Sequence, residues 1–277
     1  MAVRRCSRAA LCLAVLALAS LAGCSRLTFI KPSAERGDAE QAARVYDFSG
    51  PDRNARDAAS VRGHLLRGEE ALRAGRFDEA GDEAGKALKI DDRSELAHTL
   101  MALSLDRRNR PADAGRHYAR AAELAPASGA ALNNYGGWLC LNGRAAESLG
   151  WFDRALADRA YANPESALAN AGACAVEGGQ PARAERDLRT ALRLDPTNVV
   201  ALAALARHLY GEGEYFEARA FSQRRLDAAP PTPDVLLLAS QIEEKLGDKA
   251  AAARYVQRLR TEFPQAQAAF PGESSSR

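Results

Sequence analysis

Small and apolar positions recur along residues 61–264 with a nearly constant period. Blocks beginning at Val61, Glu95, Gly129, Glu165, Val199 and Pro233 lie 34, 34, 36, 34 and 34 residues apart. The eighth position of each block is Gly68, Ala102, Gly136, Gly172, Ala206 or Ser240, and the twentieth is Ala80, Ala114, Ser148, Ala184, Ala218 or Ala252. All twelve are small, as required where two antiparallel helices nearly touch. Position fifteen is Gly75, Asn109, Gly143, Gly179, Gly213 or Gly247, the residue types that end a helix in a left-handed conformation. Pro126, Pro196, Pro230 and Pro264 at position thirty-two stop the second helix in four blocks. Position twenty-seven is Ala87, Ala121, Ala155 and Ala191, then Arg225 and Leu259, so the pattern loosens late. Each block therefore predicts a helix–turn–helix unit, and the six together predict an all-α array.

The spacing and these positions resemble the tetratricopeptide repeat (TPR), which implies a superhelical solenoid over residues 58–264. The first block is the least regular, with Arg67 and Ala71 where large apolar residues are usual, and the last carries Glu243. Terminal repeats depart in this way because one side faces water. The resemblance also implies a concave groove lined by positions two, five, six, nine, twelve and thirteen of the first helices. The third block supplies Asn133, Asn134, Gly137 and Leu141 to it, and the fourth supplies Asn170, Ala173 and Glu177. Asn134 and Asn170, both at position six, either hydrogen-bond the backbone of an extended peptide or simply solvate. Lysines that clamp a carboxylate in chaperone-binding arrays are missing, since position five is Leu65, Thr99, Asn133, Ala169 and Ala203 in the first five blocks.

Composition narrows the function. Sixty of 277 residues are alanine and only 6% are aromatic, which suits closely packed helices. The formal charge is +2, and removal of a leader containing Arg4, Arg5 and Arg8 makes it −1. That balance excludes a protein gripping nucleic acid through its phosphates. His64 and His98 occupy position four, where the repeat packs an aromatic, and His117 and His208 have no Cys, Asp or His at ligand spacing. Gly178-Gly179 and Gly211-x-Gly213 are turns between helices rather than phosphate loops, because no strand precedes them. No catalytic constellation, metal site or cofactor is implied.

At the N-terminus, three arginines precede an apolar run from Ala9 to about Leu18, the layout of a secretory signal. The run is too short for a bilayer core, which needs about 20 apolar residues. It ends in Leu21-Ala22-Gly23-Cys24, which resembles the lipobox of bacterial lipoproteins. That resemblance implies a signal peptide over 1–23, cleavage before Cys24 and acylation of Cys24, with chains sufficient for stable anchoring. Ser25 rather than Asp follows, which implies sorting to the outer membrane, facing the periplasm. Residues 24–57 read as a lipidated tether and 265–277 as a disordered tail. Of five cysteines, Cys140 and Cys174 remain, on first helices of adjacent repeats. Axes about 8–10 Å apart allow the Cα separation of about 4.4–6.8 Å that a disulfide needs. They form either that bond or two small buried thiols.

Two stretches are more particular. A-L-N-N-Y-G-G-W-L-C-x-x-G (131–143) and Y-A-N-P-E-S-A-L-x-N-A-G-x-C-A (161–175) resemble the PilF/PilW family, outer-membrane TPR lipoproteins of type IV pilus biogenesis. The resemblance runs through R-x-A-L-R-L-D-P (189–196) and A-L-x-x-L-A-R-x-L-Y-x-x-G-x-Y-x-x-A-R (201–219). Gly137-Trp138 departs from it, because Val or Phe-like residues are usual there. What it implies is a non-catalytic pilotin, whose partner is the secretin subunit of the pilus machinery and whose task is secretin localisation and multimer assembly. The alternative is a periplasmic TPR adaptor for envelope proteases or peptidoglycan enzymes.

Overall fold

The computed structural model describes residues 52–265. Cys24, the signal and most of the tether and tail lie outside them. Twelve helices run in chain order: α1 (Arg53–Arg73), α2 (Phe77–Ile90), α3 (Glu95–Arg107), α4 (Pro111–Leu124), α5 (Gly129–Leu141), α6 (Ala145–Ala157), α7 (Pro164–Glu177), α8 (Pro181–Leu194), α9 (Val199–Gly211), α10 (Tyr215–Ala228), α11 (Pro233–Lys245) and α12 (Lys249–Glu262). Successive pairs make six repeats of an all-α TPR solenoid, with no strand among the described residues.

Odd-numbered helices are the first of each pair, and successive ones touch to form an inner layer. Even-numbered helices pack on that layer from outside. What fixes the pairing is the contact at positions eight and twenty. Ala80, Ala114, Ser148, Ala184 and Ala218 are fully buried and Ala252 nearly so. Opposite Ala184, a Cβ added to Gly172 would lie 2.6 Å from Leu188 Cγ and 3.0 Å from the Ala184 carbonyl oxygen. No larger residue fits.

The turns repeat as faithfully as the contacts. Gly75, Asn109, Gly143, Gly179, Gly213 and Gly247 all have positive φ, between 56° and 85°. Behind each, the next residue's N–H returns to the first helix: Arg76 to Ala71, Arg110 to Leu105, Arg144 to Leu139, Gln180 to Ala175, Glu214 to Leu209 and Asp248 to Glu243, at 2.8–2.9 Å. These are Schellman closures that satisfy carbonyls left over at a helix end. Ser94, Ser128 and Asn198 cap the first helices of later repeats through side-chain oxygens.

Two expectations need adjustment. Helix α1 begins at Arg53, so residues 53–57 belong to it rather than to the tether. Residues 53–60 are all exposed, so this first part of α1 carries no apolar stripe to mark it. The irregular charges of the end blocks also have partners. Glu83 is buried and takes hydrogen bonds from Lys86, His64 and Arg67, which hold its carboxyl down to about 2 against the opposing effect of burial. Glu243, 4% exposed, pairs with Arg219 across the last two repeats.

Ala184→Arg should destabilise the array by about 3 kcal/mol or more, because a long cation would be buried unpaired or would separate α7 from α8. Coupling between neighbouring repeats should spread the loss beyond the fourth. A thermal melt followed by circular dichroism checks this; an unchanged midpoint would show that the contact is not obligatory.

Candidate functional site

The candidate groove is built on α5 and α7. Asn134, Gly137 and Leu141 are spaced i, i+3, i+7, as are Asn170, Ala173 and Glu177, so each set shares one helical face. Asn134, Gly137, Asn170 and Ala173 are half-buried, as expected of a groove floor, while Leu141 is 87% exposed and Glu177 is also exposed. A Cβ built on Gly137 meets nothing within 4 Å, so the floor is open there. Helix α5 carries no ionisable acid or base along Gly129–Leu141 except the Tyr135 phenol, so its part of the floor is uncharged, and Glu177 of α7 supplies the charge in the set. Val176, 38% exposed, adds an apolar edge near the end of α7.

Asn133 does not belong with the partner-facing set. It is only 9% exposed, and its Oδ1 accepts a hydrogen bond from Asn170 Nδ2 at 3.1 Å. The two amides tie α5 to α7, so Asn170 is partly engaged within the protein. Asn134 makes no side-chain hydrogen bond among the described residues, and of the two position-six amides it is the one left for a ligand.

Cys140 and Cys174 form a disulfide between the same two helices, with Cα atoms 5.9 Å apart. Both are buried. Trp138 does not enter the groove. Its indole N–H donates to the Pro111 carbonyl at 2.9 Å, and its ring covers Gly115 of the preceding repeat, where a Cβ would come within 2.1 Å. Tyr135 stacks on Trp138 and meets Trp151 edge-on, with centroids 6.0 and 4.7 Å away. The departure at Gly137-Trp138 thus empties one side of α5 and fills the other.

Among the described residues, no three His, Cys, Asp or Glu side chains converge as a metal site, and no helix is long and apolar enough to cross a membrane. Two histidines do meet. His98 Nδ1 lies 2.9 Å from His117 Nδ1, although sequence spacing brings them together only through the repeat. Burial, then His98, then Arg116 push the His117 pKa down. The available signal was their place in the register, positions four and twenty-three of one block. The same positions hold the interacting pair His64 and Glu83 one block earlier.

Comparison with known proteins agrees with this geometry. Tetratricopeptide-repeat family models match residues 99–164 and 175–242. The fold superposes on the crystal structure of PilW, a widely conserved type IV pilus biogenesis factor, with a TM-score of 0.68. That match has 30% identity and covers 74% of this chain and 94% of PilW. The chain belongs to the PilF/PilW family. It is 28% identical to the type IV pilus assembly protein PilF of Pseudomonas aeruginosa over 193 residues, 70% of this chain and 77% of that protein. Against the structure of Pseudomonas aeruginosa PilF the TM-score is 0.66, at 25% identity, covering 79% and 99% of the two chains. This PilF/PilW relative is accordingly a TPR scaffold of type IV pilus biogenesis.

Removing the Cys140–Cys174 bond should cost this PilF/PilW-family array about 2–4 kcal/mol, since it closes a loop of 34 residues in the unfolded chain. Denaturant titration of Cys140→Ala/Cys174→Ala, beside reduced wild type, checks this. Equal midpoints for oxidised wild type and the double variant would show that the bond adds nothing.

Proposed function

We propose that this PilF/PilW-family protein is a pilotin. It is anchored through lipid on Cys24 to the outer membrane, faces the periplasm, and helps the secretin of the pilus machinery reach the membrane and form its multimer. The observation that carries the reading is the open, uncharged floor at Gly137, next to the unengaged Asn134, in an array of this family. An extended secretin segment lies along that floor, with its backbone hydrogen-bonded by Asn134 and apolar side chains against Leu141 and Val176. The disulfide and the Asn133–Asn170 bond keep α5 and α7 in register, so that binding orders little of the scaffold itself. The mechanism is positional: lipid fixes one end of the chain, and the groove presents the secretin subunit to its neighbours at the membrane.

Cys24→Ala should leave the repeats folded but move the protein from the outer-membrane fraction to the soluble periplasm. Palmitate labelling with membrane fractionation checks it, and a labelled, membrane-bound variant would refute the anchor. Gly137→Trp should fill the floor without strain, because the position is open. Circular dichroism should stay native while heat-resistant secretin multimers in membranes fall several-fold. A folded variant with normal multimers would remove the groove from the mechanism. Recovery of envelope hydrolases instead of secretin in a pull-down would favour the adaptor reading.

A further inference from the structure

We propose that His98 and His117 form a two-imidazole site for a late first-row divalent metal ion, such as Cu2+ or Ni2+, that cross-links the two helices of the second repeat. The site is independent of the groove and of the pilotin reading.

The ring partners fix which nitrogen carries the proton. His98 Nε2 lies 3.1 Å from the Asp92 carbonyl oxygen, which can only accept, so Nε2 is protonated. In neutral His98, Nδ1 then keeps its lone pair. His117 Nδ1 faces it at 2.9 Å and supplies the proton between them. This is the arrangement of a metal-ligating histidine, whose other ring N–H is held by a carbonyl that sets tautomer and ring orientation. Metal–imidazole bonds are about 2.0–2.1 Å long, so two nitrogens at right angles on one ion lie about 2.9 Å apart. An ion takes the place of the shared proton, which passes through solvent to His117 Nε2 so that both rings stay neutral, and each ring tilts to turn its lone pair from the other nitrogen toward the ion. Square-planar and tetragonal nitrogen–oxygen sites suit Cu2+ and Ni2+, and imidazole is a preferred ligand for both.

The surroundings favour a cation bound by neutral rings. The rings are half-buried on α3 and α4. Burial disfavours the protonated form of His117. The nearby Arg116 is itself paired with Asp113, which also holds Arg110. The remaining coordination positions fall to water, since no third side chain of ligand type converges there.

Register makes the pair unusual. Positions four and twenty-three hold Leu132 and Trp151 in the third block, Leu202 and Phe221 in the fifth, and Leu236 and Tyr255 in the sixth. Leu132 and Trp151 belong to one apolar cluster, as do Leu202 and Phe221. In the second block two ligands replace this apolar contact between the paired helices, so a bound ion would act where packing acts elsewhere.

The test is a Cu2+ titration of the purified chain at neutral pH, followed by calorimetry and electron paramagnetic resonance. One equivalent should bind with two-nitrogen coupling and raise the melting temperature. His98→Gln and His117→Gln should each weaken binding by at least about ten- to a hundredfold, the loss caused even by removing an outer partner. His64→Gln should leave it unchanged. Should a variant fold poorly, imidazole NMR signals of the wild type decide: substoichiometric Cu2+ should broaden those of His98 and His117 first. Undiminished binding by both folded variants, or earlier broadening of His64 or His208, would overturn the site.

Discussion

Everything in this solenoid depends on the near-contact of two helix backbones at positions eight and twenty. Because Gly172 has no Cβ, the distance between α7 and α8 is set by the Leu188 side chain and the Ala184 carbonyl meeting the α7 backbone. Repeating that distance six times brings successive first helices into contact and forms the inner layer. Where a hydroxyl intrudes, it is neutralised locally: Ser148 Oγ donates to the Ala145 carbonyl of its own helix at 2.7 Å. A buried polar atom with such a partner costs little, so serine substitutes for alanine there. The positive-φ turns follow from the same constraint, since only a tight reversal returns the second helix along the first.

That constraint is also why so much of the fold could be read directly. Small residues at a fixed interval have no competing explanation in six blocks, and glycine at position fifteen has a conformational reason. The start of α1 could not be read, because residues 53–60 are exposed all round and leave no apolar pattern. At the candidate groove, spacing placed Asn133 and Asn170 on helices that pack side by side. It could not say that the helices come close enough for the two amides to bond each other. Trp138 is a related case: its direction depends on Gly115, in another block, having no side chain to obstruct the ring. Register carried the small-residue contacts and brought Cys140 near Cys174, whereas the Asn133–Asn170 bond and the packing of the Trp138 ring needed coordinates.

The third and fourth repeats differ from the others in how they are joined. Ion pairs bridge successive repeats along the array, Arg108 to Asp78, Arg183 to Asp153, Arg189 to Glu217 and Arg207 to Asp234, and the third and fourth repeats add links of another kind. Such exposed pairs contribute about 0–1 kcal/mol each and are weakened by salt. Between α5 and α7 the links are covalent and amide-to-amide, and neither is an ion pair. A floor of Asn, Gly and Ala buries little apolar area of its own, so it gains most from a cross-link that needs no bulk. The bond and the open floor are therefore complementary properties of one surface.

Positions four and twenty-three show where the array is least committed to hydrophobic packing. The third and fifth repeats place a leucine against an aromatic there, the fourth has Leu168 and the buried Asp187, and the first two use His64 with Glu83 and His98 with His117. A hydrogen bond between neutral groups, as between His98 and His117, contributes about 0.5–1.5 kcal/mol net, less than the roughly 1.5–3 kcal/mol of a fully buried large apolar side chain. Nearest-neighbour coupling already makes the end of a solenoid easier to open than its middle. Polar pairing in the first two repeats extends that easier opening inward, up to the repeat whose first helix begins the cross-linked groove. The repeats before the disulfide-linked pair thus respond most to whatever binds their polar contacts.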